Sequence, residues 1–128
     1  MNEPFWLTVD QVVFLHERTL KRDGGLPGIK DIGLLESSLA RPKNHYSFGE
    51  RDIFQLAAVY LDNAKNHCFS DANKRTSLMS ASVFLQLNGY KLRSANTTEY
   101  SDMMVALTTD QITRDQAAKV LEANCDKL

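Results

Sequence analysis

A ten-residue stretch, residues 67–76, carries most of the side chains in this chain that could do chemistry. Its reactive and charged members are His67, Asp71, Asn73, Lys74 and Arg75. Two strongly apolar segments, 54–64 and 78–87, flank the stretch, and each predicts a buried helix. We therefore expect residues 67–76 to form a loop and the first turn of a helix, held in place by the core.

The start of a helix attracts anions, because its first N–H groups lack partners and carry roughly half a positive charge. Lys74 and Arg75 add two full charges there, and an arginine can bind a phosphate through two parallel hydrogen bonds. Asp71 is out of place in an anion site unless it binds a divalent metal ion that the phosphates share. His67 offers an imidazole, a group whose ordinary pKa lies close to neutrality, as a general base requires. The stretch thus indicates a site for a nucleotide, a metal ion and an acceptor hydroxyl; the alternative is a solvated connection between two helices.

The order of these residues resembles the signature of the Fic/Doc superfamily. The chain reads His-x-Phe-x-Asp-Ala-Asn-Lys-Arg-Thr, whereas the Fic branch reads His-Pro-Phe-x-Asp/Glu-Gly-Asn-Gly-Arg-x-x-Arg. Ala72 and Lys74 replace the two glycines and Leu78 stands in place of the second arginine, which matches the Doc (death-on-curing) branch. The other stretches that resemble Doc sequences are 24–28, 31–37, 41–42 and 52–89.

The resemblance implies a fold and a role for each residue of the motif. The fold is an all-α, compact single-domain helical bundle over residues 1–128, with the active-site loop between two central buried helices. His67 would be the catalytic base and Asp71 would bind Mg²⁺. The residues expected to bind the phosphates of ATP, the co-substrate, are Asn73, Lys74 and Arg75. Phe69 would pack inward and position the loop.

The resemblance also implies an activity. Most Fic enzymes leave AMP on a target hydroxyl, whereas Doc-type toxins act as protein kinases that transfer the γ-phosphate. A glycine at position 74 would leave room for phosphates along the backbone, and Lys74 fills that room. We therefore predict a Mg-ATP-dependent protein kinase, with a nucleotidyltransferase that adds AMP or another nucleotide as the alternative. A second alternative is a catalytically idle Fic-fold binding module, against which the intact His67 and Asp71 argue.

The partners follow from the same resemblance. A Doc-type toxin would phosphorylate a Ser/Thr hydroxyl of a translation factor such as elongation factor Tu, arrest translation, and be paired with a Phd-like antitoxin. Many Fic proteins instead carry an inhibitory Ser/Thr-x-x-x-Glu-Gly/Asn helix within the chain. Glu50 and Glu99 come nearest here, but each lacks either the preceding hydroxyl or the following small residue. The sequence thus predicts inhibition by a separate chain.

Composition limits the possible partners. With 128 residues and 43% hydrophobic content, the chain has the size and composition of one globular domain. A net charge of −1 favours neither a nucleic acid nor a membrane surface as partner. Cys68 and Cys125 have no metal-like spacing, residues 1–4 show no signal-peptide pattern, and no apolar run could span a bilayer. We expect a cytoplasmic protein.

Local patterns predict where several helices begin and end. Thr8-x-x-Gln11 and Thr113-x-x-Gln116 read as capping boxes, and His16 lies on an apolar helix face, where a hydrogen-bonded core histidine is expected. Residues 23–28 are rich in glycine and predict a turn. The other predicted elements are a helix from Asp31 to Ala40 ended by Arg41-Pro42, a loop or flap over 43–51 and a helix opened by Thr98. Residues 90–92 are too short a run to predict a sheet.

Overall fold

The computed structural model describes residues 2–95 and 97–128. Met1, the first residue of the segment 1–4, lies outside the described residues. The elements are α1 (Val9–Asp23), α2 (Ile32–Ser47), α3 (Ile53–Asp62), a 3₁₀ turn (Asn63–Asn66), α4 (Asn73–Leu87), β1 (Tyr90–Leu92), α5 (Glu99–Thr108), α6 (Arg114–Ala123) and β2 (Cys125–Lys127). Within this part of the chain, helices dominate and the strands are short, which confirms the predicted all-α fold. None of the described helices combines the length and the apolar character that a membrane span requires.

The core is built around α3 and α4. Helix α3 packs against α2, α4 and α6, and α4 also packs against α1. Leu56 and Leu61 of α3, Phe84 of α4 and Leu121 of α6 are completely buried. Burial of each such side chain contributes about 1.5–3 kcal/mol. The loop that joins these two helices is therefore held by the best-packed part of the molecule, as the sequence predicts.

Both predicted capping boxes are present. The Thr8 hydroxyl accepts the Gln11 N–H at 3.2 Å, and the Gln11 side chain accepts the Thr8 N–H at 2.8 Å. The corresponding distances for Thr113 and Gln116 are 3.1 and 2.8 Å. Each box needs only residues three apart, so the sequence alone contains all of its partners.

Helix α2 does not end at Ala40, as predicted, but continues to Ser47 with Pro42 inside it. A proline lacks the N–H that would bond to the carbonyl four residues earlier, here that of Ser38. The Asn63 side chain supplies a donor instead, with its Nδ2 at 2.9 Å from the Ser38 carbonyl oxygen. The prediction was wrong because this donor comes from a distant part of the chain. The predicted loop over 43–51 is correspondingly helical as far as Ser47.

This replacement of a backbone donor by a side chain can be tested by a double-mutant cycle. We expect Asn63→Ala to lower the free energy of unfolding by about 1–3 kcal/mol, because the Ser38 carbonyl loses its partner. In the Asn63→Ala/Pro42→Ala double variant, the N–H of the new residue 42 can donate to that carbonyl. The combined loss in urea denaturation should therefore be smaller than the sum of the single losses; strictly additive losses would contradict the assignment.

The short sheet was not predicted. Strand β1 pairs antiparallel with β2, with Tyr90 opposite Lys127 and Leu92 opposite Cys125. Residues 125–127 include the charged Asp126 and Lys127 and show no strand pattern, so their pairing depends on a neighbour more than thirty positions away. An ion pair between Arg93 and Asp126, at 2.7 Å, lies beside the sheet. The segment after α6 is thereby fastened to the end of α4.

Candidate active site

Residues 67–72 connect the 3₁₀ turn to α4, and both ends of this loop are left-handed. His67 has φ 49° and Ala72 has φ 63°. Ala72 stands where the Fic signature has a glycine, the residue that adopts this conformation freely, and a left-handed alanine costs about 1–2 kcal/mol. The interactions described below therefore have to hold the loop in this shape.

The loop and the first turn of α4 line a cleft of about 680 Å³. The predicted site residues that line it are His67, Asp71, Asn73, Lys74 and Arg75. His67 is exposed. Lys65 also lines the cleft but was missed by the sequence analysis; its ammonium pairs with Asp110 at 2.7 Å. Its only sequence signal is its position two residues before His67.

Asp71 is held by backbone N–H groups on both carboxylate oxygens. Its Oδ2 accepts the Leu26 N–H at 3.0 Å, and its Oδ1 accepts the Ala72 N–H at 2.8 Å. These hydrogen bonds, the one from Leu26 above all, hold the pKa of Asp71 below its ordinary value of 3.8, with a smaller contribution from the charge of Arg75. The side chain is therefore an ionised carboxylate at neutral pH.

Asn73 binds the backbone of Phe69 with both ends of its side-chain amide. Its Oδ1 accepts the Phe69 N–H, and its Nδ2 donates to the Phe69 carbonyl, each at 3.0 Å. Phe69 is buried, with 4% of its surface exposed. Because an amide carries two N–H groups, one of them is left over for a ligand. Asn73 thus holds the loop as well as lining the cleft.

The two cations at the start of α4 differ in their freedom. Arg75 donates to the Gly24 carbonyl at 3.1 Å and lies 3.9 Å from the Asp23 carboxylate. Lys74 is exposed, and within residues 2–95 and 97–128 it forms neither an ion pair nor a side-chain hydrogen bond. Lys74 is therefore free to follow a ligand in the cleft, whereas Arg75 is already oriented by the glycine-rich turn.

The glycine-rich segment after α1 packs along the motif loop. The Ser70 N–H donates to the Gly28 carbonyl at 3.1 Å, and the Lys30 N–H donates to the Cys68 carbonyl at 2.8 Å. Ile29 forms an isolated antiparallel bridge with Phe69. Asp23 still belongs to α1, and residues 24–28 form an irregular connection that supports the site.

Gly25 gives a direct test of this packing. Its φ is 129°, and a Cβ there would lie 2.9 Å from Asp71 Oδ2 and 2.8 Å from Leu20 Cδ2. We expect Gly25→Ala to lower the free energy of unfolding by about 2–4 kcal/mol, because backbone strain and overpacking add. Gly24→Ala is the matched control, since its φ is 79° but nothing lies within 4 Å of its Cβ. If urea denaturation gave equal losses of unfolding free energy for both variants, the close contact between residue 25 and Asp71 would make no difference to stability.

An all-α bundle with an imidazole, a carboxylate and a cationic helix start on one central loop has the architecture implied by the motif. The Fic/DOC family profile matches residues 6–85, which is more than half of the chain. The chain therefore belongs to the Fic/DOC family, and the relatives below confirm the Doc branch.

Two relatives carry names that describe what they do. The chain is 35% identical over 117 residues to protein kinase doc of Escherichia phage P1, covering 90% of this chain and 91% of the relative. It is 38% identical over 72 residues to toxin Doc of Mycolicibacterium smegmatis, covering 54% of this chain and 55% of the relative. The name of the phage relative agrees with the prediction of a phosphotransferase.

Proposed function

We propose that this protein is a Doc-type protein kinase that transfers the γ-phosphate of ATP to a Ser/Thr hydroxyl of another protein. The observation that supports this most is that His67 and the cationic start of α4 line one open cleft. Phosphoryl transfer requires mainly positioning, neutralisation of charge and a base that accepts the proton of the hydroxyl. The kinase name of the phage relative, which covers nearly the whole chain, adds independent support.

The predicted site residues have distinct parts in the proposed reaction. The acceptor oxygen attacks the γ-phosphorus, the bond from this phosphorus to the β–γ bridging oxygen breaks, and ADP leaves. His67 takes the hydroxyl proton, a role typically worth about 10²–10⁴-fold in rate. Lys74, Arg75 and the spare N–H of Asn73 bind phosphate oxygens, and the α4 N-terminus adds its partial charge. Phe69 is buried in the core and thereby holds the loop in position.

Asp71 fits the Mg²⁺ that this reaction calls for. Magnesium is commonly bound by one or two carboxylates together with substrate phosphates and water. Asp71 is ionised and lines the cleft beside the two cations that would hold phosphate. Among residues 2–95 and 97–128, no cluster of three or more His, Cys, Asp or Glu side chains could hold a metal ion. When bound, Mg²⁺ would neutralise charge on the phosphates.

We further propose that Lys74 determines which phosphate is attacked. Its side chain is exposed at the start of α4, where the Fic signature has a glycine. A glycine there would let the phosphates run closer along the backbone and would remove one charge. We expect Lys74→Gly to shift activity from phosphate transfer toward AMP transfer, measured with ATP labelled at the γ- or the α-phosphate. Unchanged chemistry in that variant would contradict this role.

The biological setting is part of the same proposal. The name of the mycobacterial relative, toxin Doc, favours a toxin, and we propose that its partner is an antitoxin of the Phd type. We propose elongation factor Tu, or a similar translation factor, as the target, in the cytoplasm. We also propose that residues 1–128 act as one domain. A pull-down from the native host that recovers no small co-encoded protein would count against the antitoxin.

The proposed reaction can be tested with purified protein, Mg²⁺, a bacterial extract and ATP labelled in separate reactions at the γ- or the α-phosphate. A γ-label on a protein of the extract, absent with a His67→Asn variant, would support the kinase. An α-label would instead support nucleotidyl transfer. If folded protein free of antitoxin transfers neither label, the result would favour the binding module.

A further inference from the structure

His16 contacts the motif loop at two points. It belongs to α1 and is buried, with 3% of its surface exposed. Its Nε2 lies 3.0 Å from the carbonyl oxygen of Asp71. Its ring is stacked on that of Phe69, with the centroids 3.9 Å apart and the planes 9° apart. Because a carbonyl oxygen only accepts, Nε2 carries a proton and donates it, so the predicted hydrogen-bonded core histidine is confirmed.

The Asp71 carbonyl depends on this donor. Helix α4 begins after Ala72, whose carbonyl accepts the first helical N–H, that of Thr76, at 2.9 Å. The carbonyl of Asp71 lies one residue earlier, outside the helical ladder. Among the described residues, His16 is the partner found for it. Asp71 is therefore fixed at two places, its carbonyl by His16 and its carboxylate by the Leu26 N–H.

We propose that His16 is a positioning residue for the transfer reaction. It does not line the cleft, so it acts through two residues of the loop. Its N–H fixes the main chain at Asp71, and its ring fixes Phe69, whose backbone is bound by Asn73. Together these contacts set the direction in which the Asp71 carboxylate enters the cleft. The inference rests on the proposed function, because the carboxylate matters only if phosphate and metal bind there.

Two variants separate the contacts of His16. His16→Phe keeps a ring that can stack on Phe69 but removes the donor. His16→Gln loses the ring but places an amide N–H the same number of bonds from Cβ as Nε2. We expect His16→Phe to lower kcat about tenfold and to need more Mg²⁺ for half its maximal rate, whereas His16→Gln keeps most of kcat. The KM for the protein substrate should change by less than about twofold, because the cleft surface itself is unaltered.

A second measurement requires no activity. In nucleotide-free protein, we expect the amide hydrogen of Leu26 to exchange faster in His16→Phe than in the wild type, because Asp71 is less firmly held. Leu15→Ala is the matched control, since Leu15 is the buried neighbour of His16 on α1, with 8% of its surface exposed. It should lower the thermal midpoint without changing the Leu26 exchange or the Mg²⁺ dependence.

The results separate this inference from the proposed function. Wild-type kcat together with wild-type Leu26 exchange in His16→Phe would overturn the inference. If the wild-type protein transfers no phosphate, the proposed function fails. The exchange measurement then still decides whether His16 holds Asp71 in place.

Discussion

We expect His67→Asn to lower the rate of phosphate transfer about 10²–10⁴-fold while leaving the fold intact. The imidazole lines the cleft and is exposed, so its removal takes away the proposed base without opening a cavity. Asparagine is the appropriate replacement because residue 67 is left-handed, with φ 49°, and asparagine tolerates this conformation better than alanine does. The measurements are kcat, which should fall, and the thermal midpoint of unfolding, which should stay at the wild-type value.

His45→Asn is the matched control for the loss of a histidine. His45 lies outside the cleft and is half-buried, and burial is the main reason that its pKa is lowered. This variant should keep the wild-type transfer rate. A His67→Asn protein that is folded and still transfers phosphate at a rate close to wild type would show that the reaction uses another base.

Asp71→Asn should reduce transfer at least about 100-fold, because it replaces the proposed metal-binding carboxylate by a neutral amide. It should also change how stability depends on pH. The pKa of Asp71 is lowered in the folded protein, first by the hydrogen bond from Leu26. A lowered pKa means that the carboxylate stabilises the fold above the ordinary value of 3.8 and that this contribution disappears as the pH falls through the folded-state value. The wild type should thus be more stable than the variant at pH 7, and the difference should vanish in acid.

Asp115→Asn is the matched control for Asp71→Asn. The pKa of Asp115 is also lowered, first by a hydrogen bond from Gln55 and then by Lys119, but Asp115 lies outside the cleft. The stability of the Asp115→Asn variant relative to the wild type should depend on pH in the same direction. Its transfer activity should equal that of the wild type. If Asp71→Asn retained wild-type transfer at saturating Mg²⁺, the carboxylate would have no part in the reaction.

The sequence predicted those features whose partners lie close together in the chain. The capping boxes at Thr8 and Thr113 needed only a residue three positions on. The apolar patterns of α3 and α4 also identified the two central helices and the loop between them. The motif itself was visible because His67 and Asp71, which line one cleft, lie on the same short loop of residues 67–72.

The features that the sequence did not predict depend on distant partners. Helix α2 continues through Pro42, and the donor that replaces the missing N–H comes from Asn63, far along the chain. The β1–β2 pairing joins residues more than thirty positions apart, and the pattern at 125–127 is not that of a strand. For Asn73, the family resemblance implied a phosphate-binding role, but only the structure shows that its side-chain amide binds the Phe69 backbone.

The separation of these partners along the chain has a consequence for the order of folding. His16 and Asp71 are 55 positions apart, Leu26 and Asp71 are 45 apart, and Gly24 and Arg75 are 51 apart. Contacts that close long loops form late, because the chain entropy lost on closure must first be offset by other contacts. During refolding from denaturant, helix formation should therefore precede the recovery of transfer activity. A fragment that ends before residue 67 should contain helices but no site, so a nascent chain acquires its chemistry only after α4 has packed against α1.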